Sequence, residues 1–120
     1  MKKYELTNEA IVFNKKILYR IKAVRSFGNV KQGDLGGFVE SENNLSHFGS
    51  TWIHDNAKVY GNAQMYDNAQ IYDNAQIYDN AQIYDYAQIY GDVKIYGNAQ
   101  IHGDVEIFGR TEIGGEAQIT

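Results

Sequence analysis

The sequence predicts an all-β chain wound as a solenoid of parallel strands, and three observations predict it. A six-residue pattern runs through 51–120 without a frame break. Two of its columns are apolar. One holds a large residue at every sixth position from Ile53 to Ile119, and the other, two residues earlier, holds a small one from Thr51 to Ala117. Between them recur Asp-Asn, Gly-Asn and Gly-Asp pairs, while proline is absent and 10 of the 120 residues are tyrosine.

Residues 1–43 come first and do not repeat; they read as an N-terminal β-hairpin and cap. Ala10-Ile11-Val12-Phe13 and the alternating Ile17-Leu18-Tyr19-Arg20-Ile21-Lys22-Ala23-Val24 flank Asn14-Lys15-Lys16, a turn between two strands. A glycine-rich stretch, 28–46, then leads into the first coil. A cap is required physically, because the end of a solenoid exposes an unpaired strand edge and raw core.

Residues 44–120 form the β-helix, one structural unit. Residues two apart lie on one side of a strand, so each hexad supplies one large and one small inward side chain. The Asp, Asn and Gly of the intervening pairs tolerate a left-handed backbone, and each pair makes a corner. A six-residue apolar repeat drifts around a 3.6-residue turn, which excludes a helix. Strands this short cannot hold a hairpin meander. Three hexads per triangular coil place each strand over its copy 18 positions on, and twelve hexads give about four coils.

The units IYDNAQ, IYGNAQ and IHGDVE resemble the hexapeptide-repeat family, whose motif has an aliphatic residue first and a small residue fifth. That resemblance, not the periodicity, implies a single-stranded left-handed parallel β-helix, since crossovers are otherwise right-handed. The leader GDLGGFVESENNLS resembles that of small phage- or prophage-encoded hexapeptide-repeat proteins labelled as transferases on fold alone. Many members of the family are trimeric acyltransferases with a catalytic histidine and a loop reaching over the neighbour. This chain departs from that pattern. No hexad is interrupted by a loop, His47 falls in the inward column, and His54 and His102 replace ladder tyrosines on different faces. His102 alone can serve as a general base across a subunit boundary, with nothing nearby in the sequence placed to orient it.

Outward positions carry tyrosine in three ladders: Tyr60, Tyr78 and Tyr96; Tyr72 and Tyr90, between His54 and Phe108; Tyr66 and Tyr84, between Phe48 and His102. In-register stacking stabilises parallel strands and is one sufficient explanation. The functional reading is a contact surface for a protein or a sugar. Asp55, Asp67, Asp73, Asp79 and Asp85 occupy corners, with Asp55 over Asp73 and Asp67 over Asp85, next to amide ladders of Asn56 and Asn74 and of Asn62, Asn80 and Asn98. Solvated turn residues are the plain reading of these carboxylates, and a negative rod imitating a phosphate backbone the sharper one. Two Asp per corner are too few for calcium, and the histidine spacing does not suit a three-histidine zinc site.

Charge divides unevenly along the chain. Residues 1–49 carry 8 basic and 5 acidic side chains and residues 50–120 carry 3 and 10, for an overall −4. The acidic part disfavours direct nucleic-acid binding. Lys15, Lys16, Arg20, Lys22 and Arg25 are candidates for one basic patch on the hairpin, or a solvated face. With no cysteine, disulfides are excluded. No long apolar run follows the first residues, so neither signal peptide nor membrane span is expected and a cytoplasmic location is.

The function expected is a non-catalytic interaction module that binds a protein target, with an acidic inhibitor or DNA mimic as one form, or that self-assembles. A trimeric acyltransferase using His102, and carbohydrate binding by the tyrosines, are the alternatives. No cofactor or metal is expected. A homo-oligomer is, a dimer by preference, joined through the last coil's edge or a tyrosine face.

Overall fold

The computed structural model describes residues 2–120. Strands β1 (Tyr4–Phe13) and β2 (Lys16–Ala23) form the expected antiparallel hairpin. Asn14 and Lys15 at its tip have φ of 50° and 67°. Two positive φ values in a two-residue loop match the twist of the flanking strands. Strand β3 (Leu35–Val39) pairs antiparallel with β2 and parallel with β5 (Lys58–Val59), so the hairpin is hydrogen-bonded into the solenoid.

Twelve two-residue strands follow, from β4 (Trp52–Ile53) through β6 (Gln64–Met65) to β15 (Gln118–Ile119). They stack in parallel on three faces. Val39, Val59, Ile77, Ile95 and Ile113 align on the first face. Met65, Ile83, Ile101 and Ile119 align on the second, and Ile53, Ile71, Ile89 and Ile107 on the third. The inward columns are fully buried through the middle coils. Each buried aliphatic side chain there is worth about 1.5–3 kcal/mol.

The solenoid begins earlier than the unbroken hexads do. Leu45 bridges Met65 in parallel, so β3 and Leu45 form two sides of a further coil and the stack reaches nearly five turns instead of four. Partners in this first coil are 20 residues apart, Phe38 with Lys58 and Leu45 with Met65. Val39 and Leu45 keep the six-residue spacing, and the two extra residues fall between Leu45 and Ile53. Leu45 therefore takes the inward place the sequence frame assigns to His47.

Every corner opens with Asp or Gly at positive φ: Asp55, Asp67, Asp73, Asp79 and Asp85 lie between 56° and 62°. A weak bond closes most corners three residues on, as from the Ala57 amide to the His54 carbonyl at 3.2 Å. Only the first central residue has positive φ, which is the mirror image of a type II turn.

The cap satisfies groups that the top coil presents to no preceding coil. Lys3 Nζ donates to the Thr51 carbonyl at 2.7 Å, and Arg20 donates to the carbonyls of Gly36 (2.6 Å) and Asp55 (3.3 Å). Buried Asn44 donates to the carbonyls of Ala63 and Gly61 and accepts from the amides of Glu40 and Ser41. It replaces the ladder bonds lost where a short 3-10 turn (Glu42–Asn44) interrupts the strand. Among the described residues, no helix is long and apolar enough to cross a membrane.

Candidate functional site

The 18-residue register sets the outward aromatics directly above one another. Tyr60, Tyr78 and Tyr96 stack on the first face with centroids 5.2 and 5.4 Å apart. Tyr66, Tyr84 and His102 stack on the second at 4.9 Å for each pair, with rings within 4° of parallel. The third face carries two separate pairs, His54 on Tyr72 and Tyr90 on Phe108, without ring stacking between Tyr72 and Tyr90.

A second regularity ties the ladders to the next coil. Tyr66 and Tyr84 donate their hydroxyls to Gln82 and Gln100, and Tyr90 donates to Glu106 at 2.9 Å. His54 makes the same contact with Gln70 at 2.7 Å. Each partner lies 16 residues on, the outward position beside the ring below. Desolvation, then the neighbouring tyrosines and carboxylates, raises the Tyr66 and Tyr78 hydroxyls above their ordinary pKa. Burial does the same at Tyr72, and the hydrogen bond to Glu106 does so at Tyr90. These tyrosines stay protonated, and Tyr66 and Tyr90 are the donors among them.

Tyr60 differs from the rest. It is 4% exposed, Phe13 packs edge-on against it at 5.9 Å, and Asn14 donates to its hydroxyl at 3.0 Å. The hairpin covers it, and the open part of that face is Tyr78 and Tyr96.

Phe48 does not extend the second ladder. The two extra residues put Ser46, whose amide donates to the Met65 carbonyl, in the place above Tyr66, and Phe48 stands 82% exposed at the adjoining corner. His47 packs against the cap. Its ring stacks on Tyr4 at 4.2 Å, and its Nε2 lies 2.8 Å from Glu42. That contact is the main cause of the lowered Glu42 pKa.

The corner carboxylates are engaged. Asp55 accepts the amide N–H of Asp73 at 3.0 Å, Asp67 that of Asp85 at 3.2 Å, and Asp73 that of Gly91 at 2.9 Å. Asp79 and Asp85 accept from Gly97 and Gly103, each at 3.0 Å. Corner-to-corner linkage therefore runs through Asp, not through the expected Asn amide ladders. Among the described residues, Asn62, Asn80 and Asn98 make no side-chain bonds to one another. A carboxylate reaches the amide 18 residues on because it leaves a left-handed residue stacked above that amide.

The same stacking corrects the reading of His102. Asp85 Oδ2 lies 3.6 Å from its Nδ1, so a carboxylate does stand beside this imidazole. The separation is too long for a hydrogen bond, and that oxygen already accepts from Gly103. Among the described residues, no three His, Asp or Glu side chains converge. Two of the hairpin cations are paired: Arg20 with Glu9 at 2.9 Å, and Lys16 with Glu40 at 3.4 Å.

One residue that the sequence reading passed over stands out. Tyr86 holds the corner position occupied elsewhere by Asn56, Asn62, Asn68, Asn74, Asn80 and Asn98, and it is 61% exposed. It lines a concavity of about 560 Å³ together with Phe48, Tyr66, Asp67 and Asp85. The signal in the sequence was the single YAQ among the NAQ units.

Residues 87–103, about one coil, match a family described as YdcK Beta solenoid repeat. No curated protein matches the chain. The match and the stacked coils together make this a repeat β-solenoid.

Proposed function

We propose that the chain is a non-catalytic interaction module, presenting aromatic faces and acidic corners to a protein target. The observation that carries this reading is the ordered aromatic surface. Tyr78 and Tyr96 stack 5.4 Å apart on the first face, half-buried, on a backbone whose every level is bonded to the next. Aromatic rings lose little rotamer freedom on contact and supply much of the area at protein interfaces. Near-identical coils fit an array surface, which tolerates duplication, better than a reaction centre, which needs one distinctive coil. The hexad columns and the 33–46 leader favour the left-handed hexapeptide-repeat group and a prophage origin for this module.

The test is capture from a bacterial lysate with the intact chain and with a Tyr78→Ser/Tyr96→Ser variant. A protein retained by the first and lost by the second supports the reading. Equal retention, or none by either, overturns it. Tyr60 is left intact because it lies beneath the hairpin.

A second reading, an acyltransferase acting through His102 at a trimer boundary, is favoured by one observation, the Asp85 carboxylate beside that imidazole. It requires a trimer in solution and acetyl-coenzyme A turnover that His102→Ala abolishes.

A further inference from the structure

Two departures from the repeat, 38 positions apart in the chain, meet at one corner of the second face. Tyr86 replaces an asparagine that serves at six other corners. Its amide donates to the Gly103 carbonyl at 3.0 Å, as that of Asn80 donates to Gly97 at 2.9 Å, so the corner backbone does not require the change. Phe48 lies in the two-residue excess of the first coil and supports no ladder. Both rings are largely in solvent, at 61% and 82% exposure, where folding gains little from them. They nevertheless wall the same concavity, with Tyr66 and the carboxylates of Asp67 and Asp85.

We propose that this corner is a docking site for an arginine side chain of the partner protein. The proposal rests on the interaction reading above and names the partner's chemistry. Asp67 and Asp85 each commit one oxygen to an amide of the next coil, and the other oxygen of each makes no hydrogen bond among the described residues. No lysine or arginine lines the concavity. A planar guanidinium matches both elements, stacking on aromatic faces while its N–H groups bond carboxylate oxygens. The acidic excess of residues 50–120 draws cations toward it.

The probe is the tripeptide Ac-Gly-Arg-Gly-NH2, titrated into the isotopically labelled full chain and followed by NMR. Saturable shifts confined to residues 48, 66–67 and 85–86 are expected, and none with the citrulline tripeptide, which keeps the shape and loses the charge. Tyr86→Asn, which restores the repeat residue, should keep the native spectrum elsewhere and weaken binding about tenfold. No saturable shift, equal shifts with citrulline, or undiminished binding by Tyr86→Asn each overturns the proposal. The two proposals fail separately. Lysate capture that depends on Tyr78 and Tyr96 without an arginine response leaves the interaction reading standing and removes this site.

Discussion

The carboxylate of Asp55 accepts the backbone N–H of Asp73, 18 residues later, at 3.0 Å, and Asp73 hands the same contact on to Gly91. Stacked like charges would repel. Here each carboxylate meets the amide beneath it, and the attraction of a carboxylate for an N–H offsets the repulsion between neighbours in solvent. Asp at these corners thus does two things: it accepts a left-handed backbone and it binds one coil to the next.

Separating those roles is possible at Asp73. Asp73→Gly keeps the corner conformation and removes the acceptor for Gly91, at a cost of about 0.5–1 kcal/mol for an exposed bond. Asp73→Ala removes the same acceptor and keeps a Cβ in the left-handed region, so it lies about 1–2 kcal/mol below the glycine variant. The urea unfolding midpoint of the alanine variant should lie below those of both wild type and glycine. Equal midpoints for alanine and wild type would show that the carboxylate contributes nothing.

Lys3 predicts an alkaline rise in stability. Its ammonium is fully buried against the Thr51 carbonyl and 4.6 Å from the Phe27 ring. Burial, with Arg25 nearby, lowers its pKa from 10.5 to about 8. Between those values the unfolded chain holds a proton that the native chain has lost, so stability increases as pH rises from about 8 toward 10.5. Lys58, lowered by desolvation and Arg20, acts in the same direction. Tyr4, raised by burial and Glu42, opposes them above its ordinary value of 10.0, where the unfolded chain ionises first. Unfolding midpoints should climb above pH 8 and turn over near pH 10, and Lys3→Met should flatten the climb, leaving the smaller part due to Lys58. An unchanged slope in that variant would assign the effect elsewhere.

Much of this fold is legible in the sequence because the hexad fixes several things at once. Ile and Ala columns give the inward face, Asp and Gly give the corner, and Asn14-Lys15 gives the hairpin tip. The first coil is hidden for a specific reason. Val39 and Leu45 are six apart, but the two residues added before Ile53 shift them out of the later frame, so His47 and Phe48 fall in columns they do not occupy. The site is less legible than the fold. That Asp85 reaches His102, that Asn14 covers Tyr60, and that Phe48 and Tyr86 share one concavity all depend on which atoms an 18- or 20-residue register brings together. Sequence spacing gives the column and not the contact.

Gly37 marks where the cap meets the solenoid. A Cβ there would run into the Ala57 carbonyl and the Ile53 side chain, neither of which has room to withdraw. Gly37→Ala should cost about 2–3 kcal/mol through overpacking and should loosen β3 from β5. Hydrogen exchange would show this as faster exchange at residues 35–39 than in the middle coils. Uniform protection in the variant would contradict it.

Removing the cap tests whether it sets the register. The units of 62–85 are nearly identical, so sliding the stack by 6 or 18 residues leaves the same side chains inward, and the repeat itself supplies no penalty. The penalties lie at the top: Lys3 on the Thr51 carbonyl, Asn44 on Ala63 and Gly61, and Tyr4 and Phe27 packed edge-on against Trp52 at 6.2 and 5.3 Å. A chain beginning at Ser50 loses all of them and strips β5 of its partner β3, which leaves an open edge that invites pairing with other chains. It should elute as a heterogeneous, aggregating population in size-exclusion chromatography with light scattering. A monodisperse monomer with native exchange protection would mean that the repeat chooses its own register and that the cap serves only to cover the end.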